Sequence, residues 1–178
     1  MSEKELIEHF SIGSDPAGPM VLFRPRYNIA PTQDIAVIRG SRQDGGRELT
    51  AMHWGLIPSW AKDPTIGNRM INARGETLAE KPSFRAAFKR RRCLIPASGF
   101  FEWKQQGKKR QPYYIHRFDQ SPIAFAGLWE HWQPGNPTDP EIASCTIITT
   151  AANAMMRELH DRMPVILAPS DYSLWLDP

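Results

Sequence analysis

The sequence has little cysteine and no long hydrophobic run. Its 178 residues include only Cys93 and Cys145, which sit in apolar surroundings and lack the spacing of metal ligands. We therefore expect both to be reduced core residues, because a disulfide framework needs more cysteines and an oxidising compartment. No apolar run approaches the length of a membrane span, and the charged start MSEKELIEHF does not resemble a secretory signal. These absences favour a cytoplasmic protein without membrane contact.

An obvious catalytic nucleophile is also missing. The sequence contains no Gly-x-Ser-x-Gly elbow, and neither cysteine has a catalytic partner in its local sequence. Nothing in the sequence implies a metal or an organic cofactor, so we expect neither.

Proline and tryptophan, in contrast, are plentiful. Sixteen prolines favour short strands joined by rigid turns, and six tryptophans offer more flat apolar surface than a small core needs. The apolar pattern predicts a strand-dominated α+β fold in one domain, residues 1–178. Strands are predicted over 35–39, 48–54, 93–96, 99–104, 112–117, 123–130, 143–149 and 165–167. Helices are predicted over 2–10, 78–89, 153–159 and 170–176, and irregular loops over 14–25 and 54–77.

The positive charge is concentrated in two segments. The formal net charge is only +3, yet Arg85 and residues 89–92 form one basic segment, and Lys104 and residues 108–110 form another. A solvated face is the usual meaning of such a segment. Because these two flank an aromatic-rich strand, they favour a polyanionic partner, most simply nucleic acid.

Glu102 stands between two aromatic residues in the stretch SGFFEWK. Simple strand alternation would turn Phe101 and Trp103 one way and Glu102 the other way, into water. The alternative is that Glu102 points into a site that uses its charge.

Three further residues are candidates for a site. His160 follows a short predicted helix and precedes a strand, where its side chain can reach a cleft, although a lone histidine is more often structural. Asn72 is better explained, from the residues alone, as a residue that caps a turn. Trp60 is either part of the core or an exposed stacking surface. Together these residues indicate an enzyme or a nucleic-acid binder with a Glu/His site.

Four segments resemble one protein family. RPRYNIAPTQ, HWGLIPSWAKD with INARGET, CLIPASGFFEWK and HDRMPVIL occur in this order from about Arg24 onward. They are similar to the SOS response-associated peptidase family, whose members crosslink to abasic sites in single-stranded DNA. The resemblance implies curved or barrel-like antiparallel sheets with a few short helices.

The resemblance also implies roles for six residues. Asn72, Glu102 and His160 match the catalytic site: the asparagine holds the lesion, the glutamate orients the reacting amine, and the histidine moves protons at the sugar. Arg74, Trp60 and Thr149 match positions that line the DNA groove. In the family, the amine and thiol of an N-terminal cysteine close a stable thiazolidine with the opened sugar.

The start of this sequence differs from that pattern. Position 2 is Ser2, and SEKELIEHF resembles the helix that follows the first strand of the family. We therefore expect that the nucleophilic cysteine and the first strand precede this sequence, and that a C-terminal tail is absent. A free amine at Ser2 would form a Schiff base, but its hydroxyl would close only a weaker oxazolidine. The chain as given is expected to be defective in durable crosslinking.

Three functions remain open from the sequence. The first is a DNA-lesion enzyme that reacts with abasic sites, acting as a monomer in the cytoplasm and at damaged nucleoid DNA. The second is a peptidase that cleaves its own N-terminus. The third is a passive binder of single-stranded DNA.

Overall fold

Strands make up most of the regular structure in this chain. The computed structural model describes residues 2–13, 26–41, 45–136 and 138–178, so the loop predicted over 14–25 lies outside them. The strands are β1 (Asp34–Gly40), β2 (Arg47–Trp54), β3 (Asn72–Arg74), β4 (Arg92–Ala97), β5 (Phe100–Gln106), β6 (Lys109–Ile115), β7 (Ile123–Trp132), β8 (Ile142–Ala151), β9 (Arg162–Pro164) and β10 (Ile166–Leu167). The α-helices are α1 (Glu3–Phe10), α2 (Arg85–Arg90) and α3 (Tyr172–Leu176), and turns of 3-10 helix span Pro64–Arg69, Gly75–Thr77, Met156–Glu158 and Pro169–Asp171.

Five strands close into a barrel. β7 pairs with β4, β4 with β1, β1 with β2, and β2 with β8, which returns to β7. The other strands extend this ring: β10 lies beside β7, and β3 and β9 both pair with β8. The predicted strand-dominated, barrel-like α+β fold is therefore confirmed. Two pairings differ from the antiparallel expectation, because β2 and β3 run parallel to β8.

The barrel is filled and covered by apolar side chains. All five ring strands contribute to one cluster, which makes it the barrel interior; it includes Val37, Met52, Ile95, Phe125 and Cys145. On the outer surface, α1 and α3 pack over a second cluster that contains Ile38, Leu49 and Leu94. The segment around α2 covers a third cluster. Burial on both faces explains why every residue of β7 except His131 is buried.

Two predicted helices are shorter in the structure. The helix predicted over 78–89 is replaced by a turn followed by α2, because Pro82 has no N–H to donate and disfavours a helical conformation at Lys81. The helix predicted over 153–159 is a single 3-10 turn at Met156–Glu158. The irregular segment predicted over 54–77 contains the strand β3 and two 3-10 turns.

Helices in the described part of the chain are short. None of them is both long and apolar enough to cross a membrane.

Candidate functional site

The middle of the candidate site is the short strand β3, which lies beside β8. Asn72 pairs with Ile147, and Arg74 pairs with Thr149. Ala73 between them is buried in the core, so strand alternation turns Asn72 and Arg74 outward. Among the hydrogen bonds of the described residues, none comes from the side chain of Asn72 or Arg74. Both side chains are therefore available to a ligand.

His160 lies on the other side of β8, in the turn that leads into β9. Its Nδ1 accepts a hydrogen bond from the backbone N–H of Arg162, at 3.0 Å. In the tautomer that accepts this hydrogen bond the ring proton is on Nε2, whereas in the other tautomer Nδ1 would donate to the carbonyl oxygen of Arg162 at 3.3 Å. Nδ1 is also 3.1 Å from Oδ1 of Asp161, which can accept a hydrogen bond when the ring takes up a second proton. The half-exposed ring can thus give and regain a proton at Nε2.

An ion pair connects β9 with the turn after β3, which lie on the two sides of β8. The guanidinium of Arg162 donates from Nη1 to Oε1 of Glu76 at 2.7 Å and from Nη2 to Oε2 at 2.9 Å. Nη2 also donates to the carbonyl oxygen of Thr149 at 2.8 Å and to its Oγ1 at 3.2 Å. These hydrogen bonds lower the pKa of Glu76 to about 2. The hydroxyl of Thr149 keeps its own proton and can still donate it to a ligand.

Glu102 lies on a separate two-stranded hairpin made of β5 and β6. Phe100 packs against the barrel, with its ring 5.7 Å from that of Phe125. Glu102 is on the same side of β5 as Phe100 and is half-buried, whereas Phe101 and Trp103 face solvent. Glu102 therefore faces the opposite way from Phe101 and Trp103, as alternation predicts, but its side of the strand is the one that Phe100 packs against the barrel and is not fully open to water.

The hairpin and His160 belong to the same end of the barrel. β4 precedes the hairpin and ends at Ala97, which is opposite Ile123, the first residue of β7. β8 runs antiparallel to β7, so its last residues, 149–151, lie at this end as well. Glu102 therefore sits on a hairpin that leaves the barrel at the end where β3 and His160 lie.

Trp60 is placed differently. It is 58% exposed and lines an open pocket of about 660 Å³ together with Lys62, Ile66 and Arg69. Its neighbour Ala61 accepts a hydrogen bond from the indole N–H of Trp132, the last residue of β7, at 2.7 Å. This anchor is at the opposite end of the barrel from His160. Among the described residues, no hydrogen bond or ring contact joins Trp60 to the other five candidates.

Aromatic rings line the outer face of the hairpin. Phe101 lies 5.1 Å from Tyr114 and 6.4 Å from Trp103, and Tyr114 stacks on His116 at 5.3 Å. Trp103 and Tyr114 are each about half exposed. Gly99 makes this possible, because a Cβ atom there would lie 2.6 Å from the Tyr114 ring. We name these four rings the hairpin aromatic row.

The basic segments have two different roles. At the hairpin tip, Lys108, Lys109 and Arg110 are exposed. In contrast, Arg91 pairs with Glu130, and Arg92 donates to the carbonyl oxygens of Phe88 and Trp175. Part of the first basic segment therefore holds the fold together, and the positive charge available to a partner is smaller than the sequence suggests.

Both cysteines are buried reduced thiols, as predicted. Cys93 and Cys145 lie in the barrel interior, and burial raises the pKa of each thiol well above its ordinary value. Neither can act as a nucleophile toward a ligand at the surface. Among the described residues no cluster of His, Cys, Asp and Glu could hold a metal ion.

The sequence matches the model of the "SOS response associated peptidase (SRAP)" family over residues 1–178. The chain belongs to this family. The SRAP assignment agrees with the four motifs and with the closed barrel.

Relatives and a solved structure support the assignment. The chain is 46% identical over 177 residues to "Abasic site processing protein YoqW" of Bacillus subtilis, which covers 98% of this chain and 75% of the relative. It is 34% identical over 151 residues to "Abasic site processing protein YedK" of Escherichia coli, covering 85% and 64% respectively. A crystal structure of a protein from Bordetella bronchiseptica superimposes with a TM-score of 0.82 at 26% identity, covering 99% of this chain and 84% of that one.

The sequence alone did not single out three parts of this SRAP site. Glu76 and Arg162 were visible only as charged neighbours of Asn72 and His160, and nothing in the local sequence links them. The hairpin aromatic row was not visible in one segment, because its rings come from both arms of the hairpin. The motif HDRMP does carry a signal, because Arg162 follows His160 closely.

Proposed function

We propose that this chain recognises abasic sites in single-stranded DNA and reacts covalently with the aldehyde of the opened sugar. The observation that carries the proposal is the grouping of exposed Asn72, Arg74 and His160 at one barrel end, with Glu102 on the hairpin that leaves this end. The names of the relatives YoqW and YedK, both called abasic site processing proteins, support it.

Single-stranded DNA fits the charges and rings around this end. Arg74 is exposed and would pair with a phosphate, and the hydroxyl of Thr149 would donate to a second one. The hairpin aromatic row, with its cationic tip, offers flat surfaces on which unpaired bases can stack. Trp60 would pack a base edge farther along the strand. A duplex would keep its bases stacked on each other and could not use these rings.

His160 and Asn72 would act on the lesion itself. When the ring of His160 carries two protons, Nε2 would give one to the ring oxygen O4′ of the abasic sugar as the C1′–O4′ bond breaks, and the C1′ hydroxyl would lose its proton to water, which leaves an aldehyde at C1′. Asp161 would then accept a hydrogen bond from Nδ1 whenever the ring carries two protons. The amide of Asn72 would hold the sugar hydroxyl and the reacting group together.

Glu102 would activate the α-amine of the N-terminal residue by accepting a proton from it. The free amine then adds to the aldehyde carbon of the opened sugar. The nitrogen then loses its second proton as water leaves, and a C=N double bond forms. A thiol on the same residue could add across this bond, sulfur to carbon and hydrogen to nitrogen, and close a thiazolidine. Neither Cys93 nor Cys145 can supply that thiol, because both are in the core.

A trapping assay tests the proposal. The chain is incubated with a single-stranded oligonucleotide that carries one abasic site, with and without borohydride, and is run on a denaturing gel beside an undamaged oligonucleotide. We expect a lesion-dependent band that needs borohydride, because reduction fixes the C=N bond. Equal bands with both oligonucleotides would contradict recognition of the lesion.

Two variants test the site residues. His160→Gln and Glu102→Gln are expected to slow trapping at least tenfold, since a positioned acid or base contributes about 10²- to 10⁴-fold. The controls His9→Gln, on α1, and Glu80→Gln make the same changes outside β3, β9 and the hairpin. Trapping that is equally fast in both site variants would remove Glu102 and His160 from the mechanism.

A second candidate is a passive binder of single-stranded DNA. The exposed cationic hairpin tip and the hairpin aromatic row favour it, because they can bind a single strand without any covalent step. It predicts salt-sensitive binding of damaged and undamaged strands on a native gel, with no trapped band for either. Under both candidates we expect the protein to act as a monomer in the cytoplasm, at damaged nucleoid DNA.

A further inference from the structure

Both terminal nitrogens of Arg162 form hydrogen bonds within the protein. Its two terminal nitrogens donate to both carboxylate oxygens of Glu76 and to two oxygens of Thr149. Its Nε is buried and has no partner among the described residues. Because its terminal nitrogens already bind Glu76 and Thr149, this guanidinium has a structural role and is not available to bind a DNA phosphate.

The backbone of the same residue holds the histidine. The backbone nitrogen of Arg162 lies 3.0 Å from Nδ1 of His160, and its N–H donates to Nδ1 in the tautomer that carries the ring proton on Nε2. The turn is held further by Ala152, whose N–H donates to the carbonyl oxygen of Asp161 at 2.9 Å. Arg162 therefore contacts Thr149 through its side chain and His160 through its backbone N–H.

Glu76 is the anchor of this arrangement. It lies in the 3-10 turn that directly follows β3, on the side of β8 opposite to His160. The carboxylate fits the planar guanidinium with two parallel hydrogen bonds, which fixes its orientation as well as its distance. The low pKa of Glu76 keeps this carboxylate charged at any pH near neutrality.

We propose that Glu76 is a positioning residue which, through Arg162, fixes both Thr149 and the ring of His160. The proposal rests on the proposed function for its chemical meaning, because His160 is the group that would transfer the proton. Without Glu76, Arg162 would lose its fixed orientation, and the turn 160–162 would open more often.

Glu76→Gln is the main test, and Glu80→Gln is its matched control. Both variants remove one negative charge, but only the first one removes a partner of Arg162. If charge alone mattered, both would bind DNA more tightly and react at least as fast. We expect Glu76→Gln to bind undamaged single strands no more weakly than the parent and yet to trap the abasic strand at least fivefold more slowly.

Hydrogen exchange gives a readout that does not depend on DNA. We expect the amide of Arg162 to exchange about tenfold faster in Glu76→Gln, since local opening sets the exchange rate. Amides of β7 are expected to stay unchanged, which excludes general unfolding. In the parent, the ring nitrogens of His160 should show the Nε2–H tautomer with Nδ1 as an acceptor, and Glu76→Gln should weaken this signature. Arg162→Lys keeps the positive charge but cannot form the two parallel hydrogen bonds to Glu76, so it should show the same faster exchange and slower trapping as Glu76→Gln. Because the two residues act as a pair, the double variant Glu76→Gln/Arg162→Lys should be little worse than either single variant.

The outcomes separate the two proposals. If the parent traps no abasic strand, the proposed function fails, while exchange and ring signals still decide whether Glu76 fixes His160. If the amide of Arg162 and the ring of His160 are unchanged in Glu76→Gln, the positioning role is wrong. Faster exchange with an unchanged trapping rate would also overturn it, because the ion pair would then be structural only.

Discussion

The backbones of Gly55 and Gly67 lie against each other without room for a side chain. A Cβ atom on Gly67 would lie 2.6 Å from the carbonyl oxygen of Gly55, and one on Gly55 would lie 2.7 Å from that of Gly67. This contact closes the base of the segment that leaves the barrel after β2 and returns at β3. The segment carries Trp60, and the two glycines bring its two ends together.

Gly67→Ala should therefore destabilise this segment. A methyl group at this place has to displace backbone, and overpacking of this kind costs about 1–3 kcal/mol in the free energy of unfolding. Urea denaturation measures the change. Gly135→Ala is the control, because a Cβ atom there would meet nothing within 4 Å. Equal stability of the two variants would mean that the segment rearranges freely.

Arg74→Ala should weaken the binding of single-stranded DNA whatever its sequence. The loss of one phosphate contact is expected to reduce the magnitude of the salt slope by about 0.7, the value for one charge on a single strand. Binding titrations at several salt concentrations give this slope. Arg85→Ala removes the same charge from the exposed start of α2 and should leave the slope unchanged. A similar decrease in both variants would indicate only a general effect of net charge.

Trp103→Ala should remove one stacking surface from the hairpin aromatic row. If a base stacks there, the binding of a single strand should weaken by about 1–3 kcal/mol. Fluorescence anisotropy with labelled undamaged oligonucleotides measures this loss. Phe118→Ala removes a fully exposed ring outside the row and serves as the control. Affinity that is unchanged by Trp103→Ala would place the DNA path away from the outer face of the hairpin.

The ion pair between Glu76 and Arg162 should make a contribution to the free energy of unfolding that depends on pH. The pKa of Glu76 is about 2 in the folded protein and near 4.5 without its partner. A lowered pKa means that the unfolded chain binds the proton first, so this stabilisation is complete above pH 4.5 and is lost as the pH falls toward 2. The difference in urea midpoint between the parent and Glu76→Gln should therefore shrink across this range. A difference that stays constant down to pH 2 would show that charge is not the cause.

Much of the fold could be predicted from local patterns. The positions of the main strands follow from the alternation of apolar residues, and Ser2 with Glu5 forms the capping box that starts α1. The helix predicted over 78–89 failed because Pro82 interrupts a spacing that otherwise looks helical. The parallel pairing of β3 with β8 could not be predicted, since only three residues form that strand.

The residues of the candidate site could be proposed from the sequence, but the contacts between them could not. Asn72 and His160 stand in recognisable motifs, whereas Glu76 and Arg162 are 86 positions apart and meet only because β3 and β9 flank β8. Alternation along β5 told us that Glu102 and Trp103 face opposite ways. Alternation could not tell which face of β5 turns toward the barrel, because the packing of Phe100 on Phe125 decides this.

The closed ring also governs the order in which the molecule can assemble. β8 pairs with β2 and β3, whose residues come many positions earlier, so the barrel closes only through contacts between distant parts of the chain. Such topologies fold slowly, typically in milliseconds to seconds, because long loops must close before their contacts form. The site needs β3, β8 and β9 side by side, and none of these strands can form it with a neighbour in sequence alone. A nascent chain in which β8 has not yet paired with β3 and β9 therefore lacks the candidate site.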